Sequence, residues 1–191
     1  MNINYFLKQS YTNGPGKRFV LWVQGCSLHC KNCRNVDTHS FEPNLIISEK
    51  DIIKLIPEES DGLTISGGEP FDQAQDTLEL CRLFKEQYPN KNIFIFTGYT
   101  LYELEDKKLT EKIMKYVDAM VIGRFVDNMQ DDKSWKRWAG SSNQQLILLN
   151  NKFNKDIENK NRIEIIIGKE TIVSGFPTNE DLNKYFNVKV V

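Results

Sequence analysis

Four short apolar runs of β-forming residues, Phe19–Gln24 (FVLWVQ), Gly62–Ser66 (GLTIS), Asn92–Thr97 (NIFIFT) and Ala119–Ile122 (AMVI), are separated by segments of helical periodicity. Ser48 with Asp51 three residues on resembles a capping box in its Asp variant, ahead of Ile52, Ile53, Leu55 and Ile56, and predicts a helix to about Glu59. A second helix is expected from about Asp72 to Tyr88, with further helical patterns at Leu101–Glu105 and Thr110–Tyr116. Strands alternating with helices of this length imply βαβ units, a mostly parallel sheet and right-handed crossovers. Continuously apolar strands suit such a sheet, because it is covered on both faces. The fold class is therefore α/β.

The last third is less regular. Gly123 to Gln145 is polar, carries Trp135, Lys136, Arg137 and Trp138, and is too long to be a mere connection. Gln145–Leu149 reads as a strand, and the Asn/Lys-rich stretch from Asn150 to Asn161 as a solvated loop. Arg162–Ile167 and Glu170–Ser174, separated by Gly168 and Lys169, predict a hairpin, and a final short helix is expected near Asn179. No internal repeat or Pro/Gly/Ser linker divides the sequence, so residues 1–191 read as one domain.

Three of the four cysteines, Cys26, Cys30 and Cys33, fall within eight positions as C-x3-C-x2-C, directly after the first apolar run and Gly25. The cysteine loop thus leaves a buried strand. With 25 Lys plus Arg against 26 Asp plus Glu, the net charge of -1 supplies no global electrostatic case for nucleic acid or membrane. No apolar run approaches the ~20 residues of a bilayer span, and Met1 to Gln9 lacks the order of a secretion signal, so a soluble, cytoplasmic chain is expected. An odd cysteine cluster in such a chain points to metal, not to disulfides. A structural zinc site needs a fourth ligand, for which His29, His39 and Cys81 are available, although His29 sits badly between two of the cysteines. An iron–sulfur cluster is the better fit: thiolates are its normal ligands, and a missing fourth one leaves an iron open to substrate. Unligated thiols are the remaining alternative. Cys81, at helical spacing with Leu78 and Phe84, reads as core.

In parallel α/β folds ligands bind at the carboxyl ends of strands. Three strand ends here carry conspicuous residues: Gly25-Cys26, Gly67-Gly68-Glu69-Pro70 and Thr97-Gly98-Tyr99. Adjacent glycines let backbone approach a ligand closely, and their N–H and C=O groups could hold an amino acid's ammonium and carboxylate. Glu69 could supply charge or fix the loop. A tight turn before a helix explains Gly-Gly-Glu-Pro equally well, and its weight comes from the cysteine loop one βαβ unit earlier.

That pairing resembles the radical S-adenosylmethionine (radical-SAM) superfamily, and within it the small activating enzymes of anaerobic ribonucleotide reductases and other glycyl-radical enzymes. Further matching segments are Gly14-Pro15-Gly16, Gly123 with Phe125, Gly140-Ser141-Ser142-Asn143-Gln144 and Ser174-Gly175-Phe176-Pro177. Asn13 stands where such activases often have Asp, Asn32 where many radical-SAM proteins have an aromatic residue, and Arg34 where His or Tyr is common.

The resemblance implies that Cys26, Cys30 and Cys33 hold three irons of a [4Fe-4S] cluster, leaving the fourth for S-adenosylmethionine. It implies reductive cleavage to methionine and a 5'-deoxyadenosyl radical, which abstracts a hydrogen atom from a glycine of a partner such as anaerobic ribonucleotide reductase. A one-electron donor such as flavodoxin or ferredoxin is expected. Gly67, Gly68 and Glu69 would orient the methionyl end, Asn32, Cys33 and Arg34 would lie beside the nucleoside, and Thr97 and Gly98 would border the pocket. Gly14-Pro15-Gly16 and Trp135 to Gln144 are the expected docking rim. At 191 residues a full eight-stranded barrel leaves little over, so a partial, open βα barrel of radical-SAM type with a small C-terminal hairpin extension is the expected architecture. The rivals are a radical-SAM enzyme acting directly on a small molecule or peptide, and a non-catalytic zinc or iron–sulfur module.

Overall fold

The computed structural model describes residues 1–167, 171–178 and 180–181. A seven-stranded mixed sheet is built from β1 (Asn2–Ser10), β2 (Arg18–Val23), β3 (Leu45–Ile46), β4 (Gly62–Gly67), β5 (Asn92–Thr97), β6 (Ala119–Ile122) and β7 (Gln145–Leu148), in the order β3-β1-β2-β4-β5-β6-β7. The centre, β2-β4-β5-β6, is parallel, as the alternating pattern predicts, while β3-β1, β1-β2 and β6-β7 pair antiparallel. The helices are α1 (Glu49–Leu55), α2 (Ala74–Gln87), α3 (Leu101–Glu105) and α4 (Thr110–Met114). A separate hairpin joins β8 (Ile163–Ile167) to β9 (Thr171–Gly175).

Local chemistry sets the boundaries. The Ser48 hydroxyl caps α1 by accepting from the Asp51 N–H at 3.2 Å. The helix ends at Leu55, four residues short of the expected Glu59, because Ile56 precedes Pro57 and is forced extended (φ -76, ψ 119). The second helix is preceded by a 3-10 turn, Pro70–Gln73, with Pro70 in its first position, where no N–H is needed. Two strands were not expected. The antiparallel β1 escapes periodicity because register shifts at Ile3/Tyr5 and Leu7/Ser10 break its alternation, and β3 is two exposed residues. The turn expected at Gly168-Lys169 and the start of a helix at Asn179 lie outside the described residues.

Residues in register share a face of the sheet. Phe19, Leu21, Leu63, Ile65, Ile93, Ile95 and Met120 are fully buried against Ile52 of α1, Leu80, Cys81 and Phe84 of α2 and Ile113 of α4. Burying each such side chain contributes roughly 1.5–3 kcal/mol. Cys81 is thus core, as its spacing predicts. The alternate residues face the other way. There Phe94, Ala119 and Val121 pack with Trp138 and Ala139, flanked by Phe96, Leu146, Leu148, Phe153, Ile157 and Phe176. This second face is covered by irregular chain, so the segment expected as a solvated loop from Asn150 to Asn161 supplies Phe153 and Ile157 to the core and buries Asn159. No helix among the described residues is long and apolar enough to cross a membrane.

Candidate functional site

The carboxyl ends of β2, β4 and β5 meet through a close backbone approach. Gly67 has φ +97, and a Cβ there would lie 2.6 Å from the Trp22 Cα; one on Gly68 would strike the Gly25 carbonyl. Gly68 N–H donates to Val23 O at 2.9 Å and Glu69 N–H to Gly25 O at 2.8 Å. The paired glycines therefore allow one strand end to cross another, a different reason from the ligand approach expected of them.

Glu69 is buried and ties β4 to β5. Its Oε1 accepts from Phe71 N–H (3.0 Å) and from the Thr97 hydroxyl (2.8 Å), and its Oε2 from Gly98 N–H (2.8 Å). Burial pushes this carboxyl up to about 7 despite those donors. Thr97 and Gly98 are thus brought to the site through Glu69. A second network fixes the start of the cysteine loop. Asp72 accepts from Ser27 N–H (2.7 Å) and from the Tyr99 hydroxyl (2.8 Å), whose oxygen also lies 2.8 Å from the Ser27 hydroxyl. Lys107 stands 3.3 Å from Asp72 and 4.0 Å above the Tyr99 ring. Burial works to raise the Asp72 carboxyl, and the Ser27 and Tyr99 hydrogen bonds with Lys107 outweigh it, leaving it below its ordinary value. Lys107, one of four consecutive charged residues with Glu105, Asp106 and Lys108, is half-buried in this network.

All three clustered cysteines line one cavity of about 670 Å³, together with Ser66, Gly67, Gly68, Glu69, Thr97, Gly98 and Arg34. That volume is ordinary for a small-ligand site, ~300–1,000 Å³. Burial pushes the Cys26 thiol up, opposed by the N–H groups of Leu28 and His29; Cys33 is likewise raised by burial, opposed by Asn35 N–H. Two residues of the cysteine loop, His29 (φ +44) and Asn32 (φ +57), adopt left-handed backbone. The Asn32 side chain donates to Asp127 at 2.8 Å and Arg34 to Gln130 at 3.3 Å, clasping the loop to the polar segment after β6.

The donor set fits an iron–sulfur cluster. Among the described residues no three His, Cys, Asp or Glu converge on a single-ion position. A cluster takes one thiolate per iron, whereas one Zn²⁺ draws all its ligands to itself. Of the candidates for a fourth zinc ligand, Cys81 is fully buried on the helix-covered face, its thiol pushed up to about 12 by burial. His29 and His39 contact each other edge to face at 5.1 Å.

The expected docking rim divides. Trp135, Gly140 and Gln144 line the cavity. Trp138 does too, but it is 2% exposed and packs on Phe94 at 5.5 Å, so it is core. The Gly-Ser-Ser-Asn-Gln segment grips backbone: Gln144 bonds Gly123 O and Gly140 N–H, and Asn143 donates to Arg124 O, each at 2.8 Å. Gly14-Pro15-Gly16 lies at the opposite, amino ends of β2 and β4, where Gly14 (φ +128) closes over Arg18 and the Pro15 carbonyl accepts from that guanidinium at 2.9 Å. Gly14 thus makes room for a buried arginine and Gly16 for the Asp61 side chain, away from the cysteine end.

A three-cysteine loop at the carboxyl ends of parallel strands, over a ligand-sized cavity, is the site of an iron–sulfur protein. Residues 12–147 match the family model described as a 4Fe-4S single cluster domain. The chain is 34% identical over 152 residues to the anaerobic ribonucleoside-triphosphate reductase-activating protein of Vibrio cholerae, covering 75% of this chain and 96% of that protein. The proteins of the same name from Escherichia coli K12 and Enterobacteria phage T4 are each 32% identical over 152 residues, covering 75% and 76% of this chain and 96% and 93% of theirs. The chain belongs to the family of anaerobic ribonucleoside-triphosphate reductase-activating proteins.

Proposed function

We propose that this chain is a radical-SAM activating enzyme whose macromolecular substrate is the anaerobic ribonucleoside-triphosphate reductase. The observation that carries the reading is the convergence of Cys26, Cys30 and Cys33 with Gly67, Gly68, Glu69, Thr97 and Gly98 on one cavity. The three thiolates would each hold an iron of a [4Fe-4S] cluster, and bonding to iron would offset the burial that favours the neutral forms of Cys26 and Cys33. The cluster, when bound, supplies the electron that cleaves S-adenosylmethionine, and the resulting 5'-deoxyadenosyl radical takes a hydrogen atom from a partner glycine.

The protein's own residues orient and exclude. The N–H groups of Gly68 and Glu69 are already engaged by Val23 and Gly25 carbonyls, so this turn offers carbonyl oxygens, which suit the ammonium of the methionyl end. Backbone from Asn32 to Arg34 would lie beside the nucleoside. No general base is required, because hydrogen-atom abstraction moves no separate proton. In this reading residues 1–191 form a single domain, an open βα barrel of radical-SAM type carrying a C-terminal hairpin. It works in the cytoplasm with a donor such as flavodoxin or ferredoxin.

Anaerobic reconstitution with iron and sulfide, reduction, and assay for 5'-deoxyadenosine test the cofactor chemistry. Zinc content without a reducible cluster would favour the non-catalytic module. Addition of the reductase encoded in the same genome should then give a glycine doublet by electron paramagnetic resonance. Turnover of a free metabolite without that doublet would favour an enzyme acting directly on small molecules.

A further inference from the structure

The β8–β9 hairpin lies beyond residues 12–147 matched by the family model, and it is built into the molecule by a specific clip. Glu164 of β8 accepts from Tyr11 N–H (2.9 Å), the Thr12 hydroxyl (3.0 Å) and the Ser10 hydroxyl. Across the hairpin from it, the Ser174 hydroxyl accepts from the Asn13 side-chain amide at 2.6 Å. The same Asn13 amide also donates to the Ser10 hydroxyl (2.9 Å) and the Thr12 hydroxyl (3.1 Å), tying the hairpin to the turn after β1. Beyond β9, Phe176 packs on Phe96 of β5, ring centres 6.5 Å apart.

So held, the hairpin presents an edge to the cavity. Ile172, Val173, Ser174 and Gly175 of β9 all line it, whereas no residue of β8 itself does, so β9 stands between β8 and the cavity. Side chains alternate along a strand, and an unbroken run of lining residues means that the strand's edge, not one of its faces, borders the space. Among the described residues β9 pairs only with β8. The phase of that pairing follows from Phe176 N–H donating to Arg162 O at 2.8 Å. Alternation makes Glu164/Ser174 and Ile166/Ile172 the hydrogen-bonded pairs, and Ile165/Val173 a pair whose N–H and C=O groups point outward.

We infer that the cavity-facing edge of β9, unpaired among the described residues, is a docking rail on which an extended, glycine-bearing segment of the partner protein pairs as an added strand. The inference rests on the function proposed above and deepens it. The atom to be attacked is a glycine Cα, a backbone atom, and main-chain hydrogen bonding is the recognition that fixes backbone position whatever the flanking side chains. The rail borders the same cavity as the three cysteines, so a strand paired to it lies within reach of the chemistry.

The test uses the reconstituted chain and the reductase encoded in the same genome. Val173→Pro removes one outward N–H and breaks no bond to β8; the ratio of glycyl radical to 5'-deoxyadenosine should fall about tenfold, the scale of one lost backbone hydrogen bond. Ile165→Pro makes the same change on the edge facing away from the cavity, and should leave the ratio within about twofold. Equal ratios in both variants, with 5'-deoxyadenosine still formed, would overturn the rail and leave the proposed function standing. Absence of 5'-deoxyadenosine from the unaltered chain would overturn the proposed function and the rail with it. Hydrogen exchange on the unaltered chain is independent of either variant's folding: the outward amides of Val173 and Gly175 should slow on adding the reductase, and exchange there that does not change contradicts the rail.

Discussion

On β4 and β5, Leu63, Ile65, Ile93 and Ile95 point into the helices, while Thr64, Ser66, Phe94 and Phe96 point to the opposite face. The first face is aliphatic and closed by regular α1, α2 and α4. The second holds a fully buried Arg18, which donates to the Thr64 hydroxyl at 2.6 Å, to Leu63 O at 2.5 Å and to Asn92, and which burial lowers to about 9. It also holds the aromatic cluster around Trp138 and the cavity, and its cover is irregular chain and the clipped hairpin. Residues one position apart thus divide the work: one set supplies stability, and the other shapes and lines a site at the strand ends.

This division can be broken from either side. Cys30→Ser should abolish the cluster signal and reduce 5'-deoxyadenosine formation more than about 100-fold with the fold retained, since a cluster held by three thiolates has none to spare. Leu80→Ala, on the helix-covered face, should do the reverse: a loss of about 2–5 kcal/mol in urea unfolding, with iron per folded chain unchanged. Glu69 should give a pH signature at the junction. Its raised pKa favours the protonated form in the folded state, so its contribution is fully present below about pH 4.5 and is lost as pH rises through about 7. Unfolding midpoints of Glu69→Gln, which cannot titrate, should fall less between pH 5 and pH 7.5 than those of the unaltered chain. Tyr99→Phe, which deletes the hydroxyl between Ser27 and Asp72, should cost only about 1 kcal/mol and leave iron content unchanged.

Much of this was legible in the sequence where the signal is local. The four parallel strands, Ser48 as a helix cap, the three-cysteine loop and the core position of Cys81 follow from periodicity and short spacings. What was missed depends on contacts far apart in the chain. The Asp72–Tyr99–Lys107 network joins residues 27 and 35 positions apart, and nothing near Lys107 distinguishes it from its charged neighbours. The end of α1 was misjudged because Pro57 constrains the residue before it, a veto that periodicity ignores. Gly67 and Gly68 stand out in the sequence as a ligand approach, whereas in the structure their lack of side chains answers the crossing of β2 and β4. Trp135 and Trp138 look equivalent in sequence; only the packing of Trp138 on Phe94 separates core from cavity rim.

The most direct test of a radical-SAM site at these strand ends is 5'-deoxyadenosine formation by the anaerobically reconstituted, reduced protein, measured beside its iron and zinc content. Cysteines 26, 30 and 33 acting as cluster ligands predict close to four irons per chain and steady release of 5'-deoxyadenosine from S-adenosylmethionine, both lost in Cys30→Ser. Stoichiometric zinc, no reducible cluster and no 5'-deoxyadenosine would contradict it.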